Sequence, residues 1–193
     1  MKVLIACELS GTVRDAFIHK GHDAWSCDLE PTESPGPHFQ RDVLEVIADG
    51  WDLMIAHPPC TYLTSSGLHW NKRRPERAIK TEEALAFVQA FFDADVDKIV
   101  IENPVGCIST RIRKPDQIIQ PYHFGHSESK GTCLWLKNVP KLVHTDVLSK
   151  PECGYWDNQT PSGQNKLGPS PDRAKKRSYT YVGIANAMAD QWG

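Results

Sequence analysis

Five short apolar runs constrain this chain more than anything else in it. Residues 2–7, 24–27, 51–56, 98–102 and 132–136 are each too short for a core helix and are bounded by polar or turn-forming residues, so they read as buried strands. Helical patterning fills the spaces between them. Ser10-Gly11-Thr12 supplies a turn and an N-cap for a helix to about Lys20, with Val13, Ala16 and Phe17 on one face and Gly21 suited to its C-terminal end. Residues 42–48 read as a short helix. Pro75 opens a longer one to about Asp93, with Ile79, Leu85, Val88 and Phe92 as its core face. A helix over 182–191 closes the chain. Strands alternating with helices imply an α/β fold: a Rossmann-like, doubly wound, mostly parallel sheet with right-handed crossovers.

The 193 residues suffice for one domain with a full core. Residues 30–41, 61–73 and 149–172 are expected to be loops, the first and last because they are rich in Pro and Gly. No run of 18 apolar residues occurs, so no membrane span is expected, and the N-terminus is too short and too soon polar for a signal peptide. A cytoplasmic protein is the expectation. The six cysteines are widely spaced with no C-x-x-C pair, which reads as reduced thiols and no metal. A zinc site using His144, Cys153 and distant ligands is the alternative.

Residues with useful chemistry fall at strand ends, where open α/β sheets bind ligands. The third strand runs into His57-Pro58-Pro59-Cys60, and the fourth into Glu102-Asn103-Pro104. Two prolines fix φ and hold Cys60 on a stiff backbone, which makes it the candidate nucleophile. Its thiolate fraction would rise beside a cation, for which His57, Arg73 and Lys130 are candidates. Glu102 follows an apolar strand. Burial should raise its carboxyl toward neutrality and let it donate to a ring nitrogen. Asp28 ends the second strand, where nucleotide sites hold ribose hydroxyls, and Asp42 adjoins the next junction.

Charge is unevenly spread. Residues 1–60 carry a net −6 and residues 61–193 a net +4. Three basic clusters point to a polyanion partner: Lys72, Arg73, Arg74, Arg77 and Lys80; Arg111, Arg113 and Lys114; Arg173, Lys175, Lys176 and Arg177.

These motifs, in this order and spacing, resemble those of the cytosine-5 DNA methyltransferases, closely the short phage and prophage members. Ala6-Cys7-Glu8-Leu9-Ser10-Gly11 resembles the family's first cofactor loop, without its usual Phe and second Gly. Pro59-Cys60-Thr61 and the downstream Ser65-Ser66-Gly67 resemble the Pro-Cys-Gln loop and its Ser-x-Ser-Gly. Glu102-Asn103-Pro104 resembles Glu-Asn-Val. Lys130 to Leu136 stands at the family's Gln-x-Arg-x-Arg strand, with Lys130 for the first Arg and Thr132 for the second. Gly183 to Ala187 loosely resembles the closing Gly-Asn-x-Val.

The resemblance implies the S-adenosylmethionine-dependent methyltransferase fold, with seven strands. It implies methyl transfer to C5 of cytosine in DNA, with Cys60, Glu102 and Lys130 catalytic. Glu8, Ser10, Gly11, Asp28, Asp42, Pro58 and Asn186 would bind the cofactor. Arg73, Arg74, Arg77, Lys130, Arg173 and Arg177 would meet nucleic acid. Residues 137–181 occupy the place of a target-recognition segment but are few and irregular, which predicts relaxed sequence preference or an accessory protein. Three alternatives stay open: an amino-directed methyltransferase, given the His-Pro-Pro; C5 modification of a nucleotide or RNA; and a non-catalytic nucleic-acid-binding relative.

Overall fold

A computed structural model describes residues 1–193. In chain order the elements are β1 (Lys2–Ala6), α1 (Thr12–His19), β2 (Asp23–Asp28), β3 (His38–Gln40), β4 (Leu53–Ala56), α2 (Ser65–Leu68), α3 (Pro75–Phe92), β5 (Lys98–Pro104), α4 (Ile108–Arg111), β6 (Gln117–Ile119), β7 (Thr132–Lys137), α5 (Arg173–Ser178) and α6 (Val182–Trp192). The strands form one seven-stranded sheet in the order β3-β2-β1-β4-β5-β7-β6. Pairings from β3 through β5 are parallel, and β7 pairs antiparallel with both β5 and β6. This is the doubly wound, mostly parallel α/β architecture expected from the apolar runs.

Period-two alternation in the strands builds two cores. Val3, Ile5, Leu53, Ile55 and Val100 face α1 and α6, packing on Phe17, Ile184, Met188 and Trp192. Leu4, Ala6, Met54, Ala56, Ile99 and Ile101 face α3, packing on Leu85, Val88 and Phe91. Fully burying one such aliphatic side chain contributes about 2 kcal/mol. A one-residue slip would turn every strand side chain to the wrong core, so register is set by these two layers.

Several sequence expectations are corrected. β1 ends at Ala6 because Cys7 takes a left-handed conformation, φ 59°. The helix expected over 42–48 is only a 3-10 turn at Val43–Glu45, capped by Asp42. The loop 30–41 contains β3, and residues 61–73 contain α2 and a 3-10 turn at His69–Lys72. Ile79 is exposed, and Thr81 takes the core position on α3. Six residues separate Ile79 from Leu85, which sets it about 120° round the helix. Residues 137–181 hold one short helix but are tied to the sheet domain: Trp156 stacks on Tyr122 with ring centroids 4.4 Å apart, and Asn158 bonds Ser129. No helix is long and apolar enough to cross a membrane.

Candidate active site

Strand order reverses at β1 and β4, and the crevice beyond their C-terminal ends is where such sheets hold ligands. β4 delivers His57, Pro58 and Cys60 there, and its parallel neighbour β5 delivers Glu102 and Asn103. The two strand ends are locked together. Asn103 Nδ2 donates to the Pro58 carbonyl at 2.7 Å in a buried bond. Beyond Cys60, the Leu63 carbonyl accepts from the Cys107 amide at 2.8 Å, and Thr64 bridges Gly106. Gly106 is required at that crossing, since a Cβ there would lie 2.0 Å from the Leu63 carbonyl oxygen. The Cys60 carbonyl accepts from the amides of Leu63 and Thr64, closing a tight turn after the two prolines.

His57 Nδ1 lies 3.2 Å from Glu102 Oε2, and both side chains are almost wholly buried. Burial pushes the Glu102 carboxyl up, but the His57 hydrogen bond and the Lys130 ammonium outweigh it and hold the group below its ordinary value. The sequence expectation was a raised carboxyl, so the direction is reversed. The Cys60 thiol is raised, by burial first and Glu102 second, with Lys130 and Arg177 offsetting only part. Of the cations expected to activate the thiol, Lys130 acts on it, His57 is engaged with Glu102, and Arg73 lies by the Trp70 ring. The charge of Arg177, on α5, also lowers the thiol slightly.

Lys130 is held by the Tyr179 carbonyl at 3.3 Å and lies near the Tyr181 ring. Lys175 and Tyr179 both bond Glu33, so α5 and the turn after it reach across to the loop after β2. His57 Nε2 and Asn103 Oδ1 are buried without any hydrogen-bond partner in the chain. Orphaned buried atoms at a strand-end crevice fit a site whose polar contacts are completed by a ligand.

Most of the residues expected to hold the cofactor fall into two groups. Asp28 and Asp42 both act on the thiol of Cys7 at the end of β1, which burial and then these charges push up. Each accepts one local amide through Oδ1, from Glu30 and Leu44 respectively, and bonds nothing through Oδ2. Ser10 and Asn186 line a cleft of about 290 Å³ between α1 and α6, together with Thr12, Asp15, His19 and Ser34. Gly11 precedes α1 in a left-handed conformation, φ 76°. Glu8 is buried and accepts from the amides of Val13 and Arg14, so it shares the capping with Ser10, whose hydroxyl accepts from the Thr12 amide.

Sequence reasoning missed Arg14. Its guanidinium, fully buried, donates to Asp15, Ser26, Thr32 and the Ser34 carbonyl, and so holds the loop after β2 against α1. A lone Arg beside an apolar stripe gives no sequence signal for partners so far away. The basic clusters also divide. Arg111 pairs with Glu82, Arg113 with Asp116 and Lys80 with Glu83. Arg77 turns inward onto the carbonyls of Thr61 and Gly67. Arg73 and Arg74 remain outward and make no salt bridge, while Arg173 sits at the start of α5 with its Nε buried and unpartnered. His144 stacks on His123 and Cys153 is exposed, and no three His, Cys, Asp or Glu side chains gather as a metal site.

No protein-family profile and no curated protein matches the sequence. Among solved structures, the chain is similar to a proposed DNA modification methyltransferase encoded within a prophage (E. coli), at 13% identity and a TM-score of 0.42. The likeness covers 69% of this chain and 45% of that one, so this chain spans less than half of that protein's length. A likeness of that degree carries no functional argument, and the reading below rests on the site.

Proposed function

We propose that the protein is a DNA (cytosine-5-)-methyltransferase using S-adenosylmethionine. The observation that carries this reading is the locked pair at neighbouring strand ends: Cys60 beyond β4 and Glu102 on β5, joined through Asn103 and Pro58 and faced by Lys130. The Cys60 thiol releases its proton to solvent, and the thiolate adds to C6 of cytosine. The electron pair of the C5–C6 double bond moves into the ring, and N3 takes a proton from Glu102. The ring is then an enamine, nucleophilic at C5. Lys130 keeps positive charge beside both reacting side chains. S-adenosylmethionine, when bound, supplies the electrophilic methyl group. Solvent water takes the C5 proton, the electron pair of that C–H bond reforms the C5–C6 double bond as the Cys60 thiolate is expelled, and the N3 proton returns to the Glu102–His57 pair.

The cofactor fits the donor set. Asp28 and Asp42 each offer a free carboxylate oxygen to hydroxyl or amino donors, as a nucleoside requires. Ser10 and Asn186 offer polar groups in the cleft between α1 and α6. In duplex DNA the base must leave the stack to reach Cys60, which costs a few kcal/mol, roughly.

The test is trapping. Wild-type protein with S-adenosylmethionine and DNA containing 5-fluorocytosine should give a covalent complex that is absent in Cys60→Ala. Digested DNA should yield 5-methylcytosine. N4-methylcytosine or N6-methyladenine instead, with no Cys60 adduct, would establish the amino-directed alternative.

A further inference from the structure

The segment between the nucleophile and α3 displays a partly exposed aromatic ring, Trp70, beside His69. Trp51, Trp135, Trp156 and Trp192 are buried, and Trp25 is stacked on Phe39, but Trp70 is 39% exposed. The guanidinium carbons of Arg73 and Arg74 lie 5.7 and 5.1 Å from its ring centroid. Nearby Lys80 and Arg111 are neutralised by Glu83 and Glu82, whereas Arg73 and Arg74 have no carboxylate partner. At these distances the guanidinium groups flank the ring at the outer edge of cation–π contact and leave ring surface open to solvent.

The platform is anchored at the nucleophile. Arg77 donates to the Thr61 carbonyl at 2.7 Å and to the Gly67 carbonyl at 3.3 Å, and lies over the Tyr62 ring. The Thr81 hydroxyl donates to the Tyr62 carbonyl at 3.0 Å and accepts from Asn71 Nδ2 at 2.9 Å. Both residues that follow Cys60, and Asn71 beside Trp70, are therefore tied to the first two turns of α3. An exposed indole fixed relative to a nucleophile and bordered by unpaired guanidiniums matches the chemistry of a strand-binding surface: a π-face for a base and cations for its phosphates.

We propose that Trp70, Arg73 and Arg74 form a stacking platform for a nucleobase of the strand that carries the target cytosine. The substrate is then a DNA strand with at least one unstacked base, not a free pyrimidine nucleotide. This inference rests on the cytosine reading of Cys60, but its binding surface is separate from that chemistry.

The experiment measures affinity for a labelled single-stranded oligonucleotide and its duplex by fluorescence anisotropy, for wild type, Trp70→Ala, Trp70→Phe and Arg73→Gln/Arg74→Gln. Trp70→Ala should weaken single-strand binding about tenfold or more, and Trp70→Phe should retain most of it. The double Arg variant should flatten the dependence of affinity on salt. Oligonucleotide should quench tryptophan emission in the wild type and much less in Trp70→Phe. Labelling of dCMP, if any occurs, should not respond to Trp70. Unchanged affinity in Trp70→Ala at an unchanged melting temperature would overturn the platform, as would a preference for free dCMP over oligonucleotide. Trp70-dependent binding without a Cys60 adduct would instead uphold the platform and overturn the C5 chemistry.

Discussion

The His57 imidazole meets the Glu102 carboxylate through Nδ1 and Oε2 at 3.2 Å, across the ends of β4 and β5 and largely shielded from solvent. Its effect is to hold Glu102 ionised, although protonation of N3 consumes a proton from that carboxyl. The Nδ1–Oε2 contact gives His57 a direct path to pass a proton to Glu102 as N3 takes one from it. The groups facing the pair are Lys130 from the loop just before β7 and Cys60 from the loop beyond β4.

His57→Gln keeps an N–H donor for Glu102 but has no acidic proton to transfer. Adduct formation on 5-fluorocytosine DNA should fall roughly 10²-fold at neutral pH, the scale of general-acid catalysis. The deficit should shrink as pH falls toward the carboxylate range, because Glu102 then takes its proton from solvent. The rate of trapping against pH checks this. An equal deficit at every pH would mean that His57 only positions Glu102.

Asn103 explains why a carboxamide follows the glutamate. Its Nδ2 bond to the Pro58 carbonyl is the buried tie that aims Cys60 at the Glu102 side of the crevice. Asn103→Ala should cost about 1–3 kcal/mol of stability and slow trapping at least tenfold, roughly. Asn103→Asp should be worse, since it sets a carboxylate oxygen against a carbonyl. Gly106→Ala should reproduce the trapping defect by displacing the Leu63 carbonyl. Wild-type trapping rates in these variants would remove the tie from the account of the nucleophile.

The Cys60 thiol gives a second set of opposed signs. Burial and Glu102 raise it, and Lys130 and Arg177 lower it. In a Cys153→Ser background, which removes the exposed thiol, alkylation of Cys60 should climb as pH rises above neutrality. Lys130→Met should shift that profile to higher pH and slow alkylation at pH 8, and Arg177→Gln should act the same way less strongly. Glu102→Gln should shift it to lower pH. Mass spectrometry of iodoacetamide-treated protein reads all three. A shift of the same sign for Lys130→Met and Glu102→Gln would contradict this electrostatic arrangement.

The long apolar strands were legible because burial on both faces leaves a run of aliphatics that nothing else explains. β3 and β6 were not, since three residues carry no periodicity. His38–Gln40 is a strand only because Ser26 to Asp28 lie beside it, and Gln117–Ile119 only because β7 does. Cys60 and Glu102 were legible as chemistry, but the state of Glu102 was not. It depends on His57 and Lys130, which lie 45 and 28 residues away in sequence and next to it only after folding. Arg73 and Arg77 looked alike as members of one basic run. Folding turns one outward beside Trp70 and the other inward onto the Thr61 carbonyl.

Arg14 supports the last prediction, on stability. Its guanidinium spans α1, β2 and the loop after β2, and no solvent reaches it. Arg14→Leu removes one donor each from Ser26, Thr32 and the Ser34 carbonyl, and the cation from Asp15. The cost should be about 3 kcal/mol, within the range for breaking a buried charged group from its partners. For a chain of this size that corresponds to roughly 6–12 °C in melting temperature. Arg14→Lys should recover little, because one ammonium cannot span partners that the planar fork reaches on three sides. Ser34→Ala, which keeps the carbonyl acceptor, should cost far less. Calorimetry gives the melting temperatures, and limited proteolysis should show cleavage within residues 30–37 in Arg14→Leu before the rest of the chain is cut. Cleavage spread evenly along the variant would mean that Arg14 supports the whole sheet and not this loop.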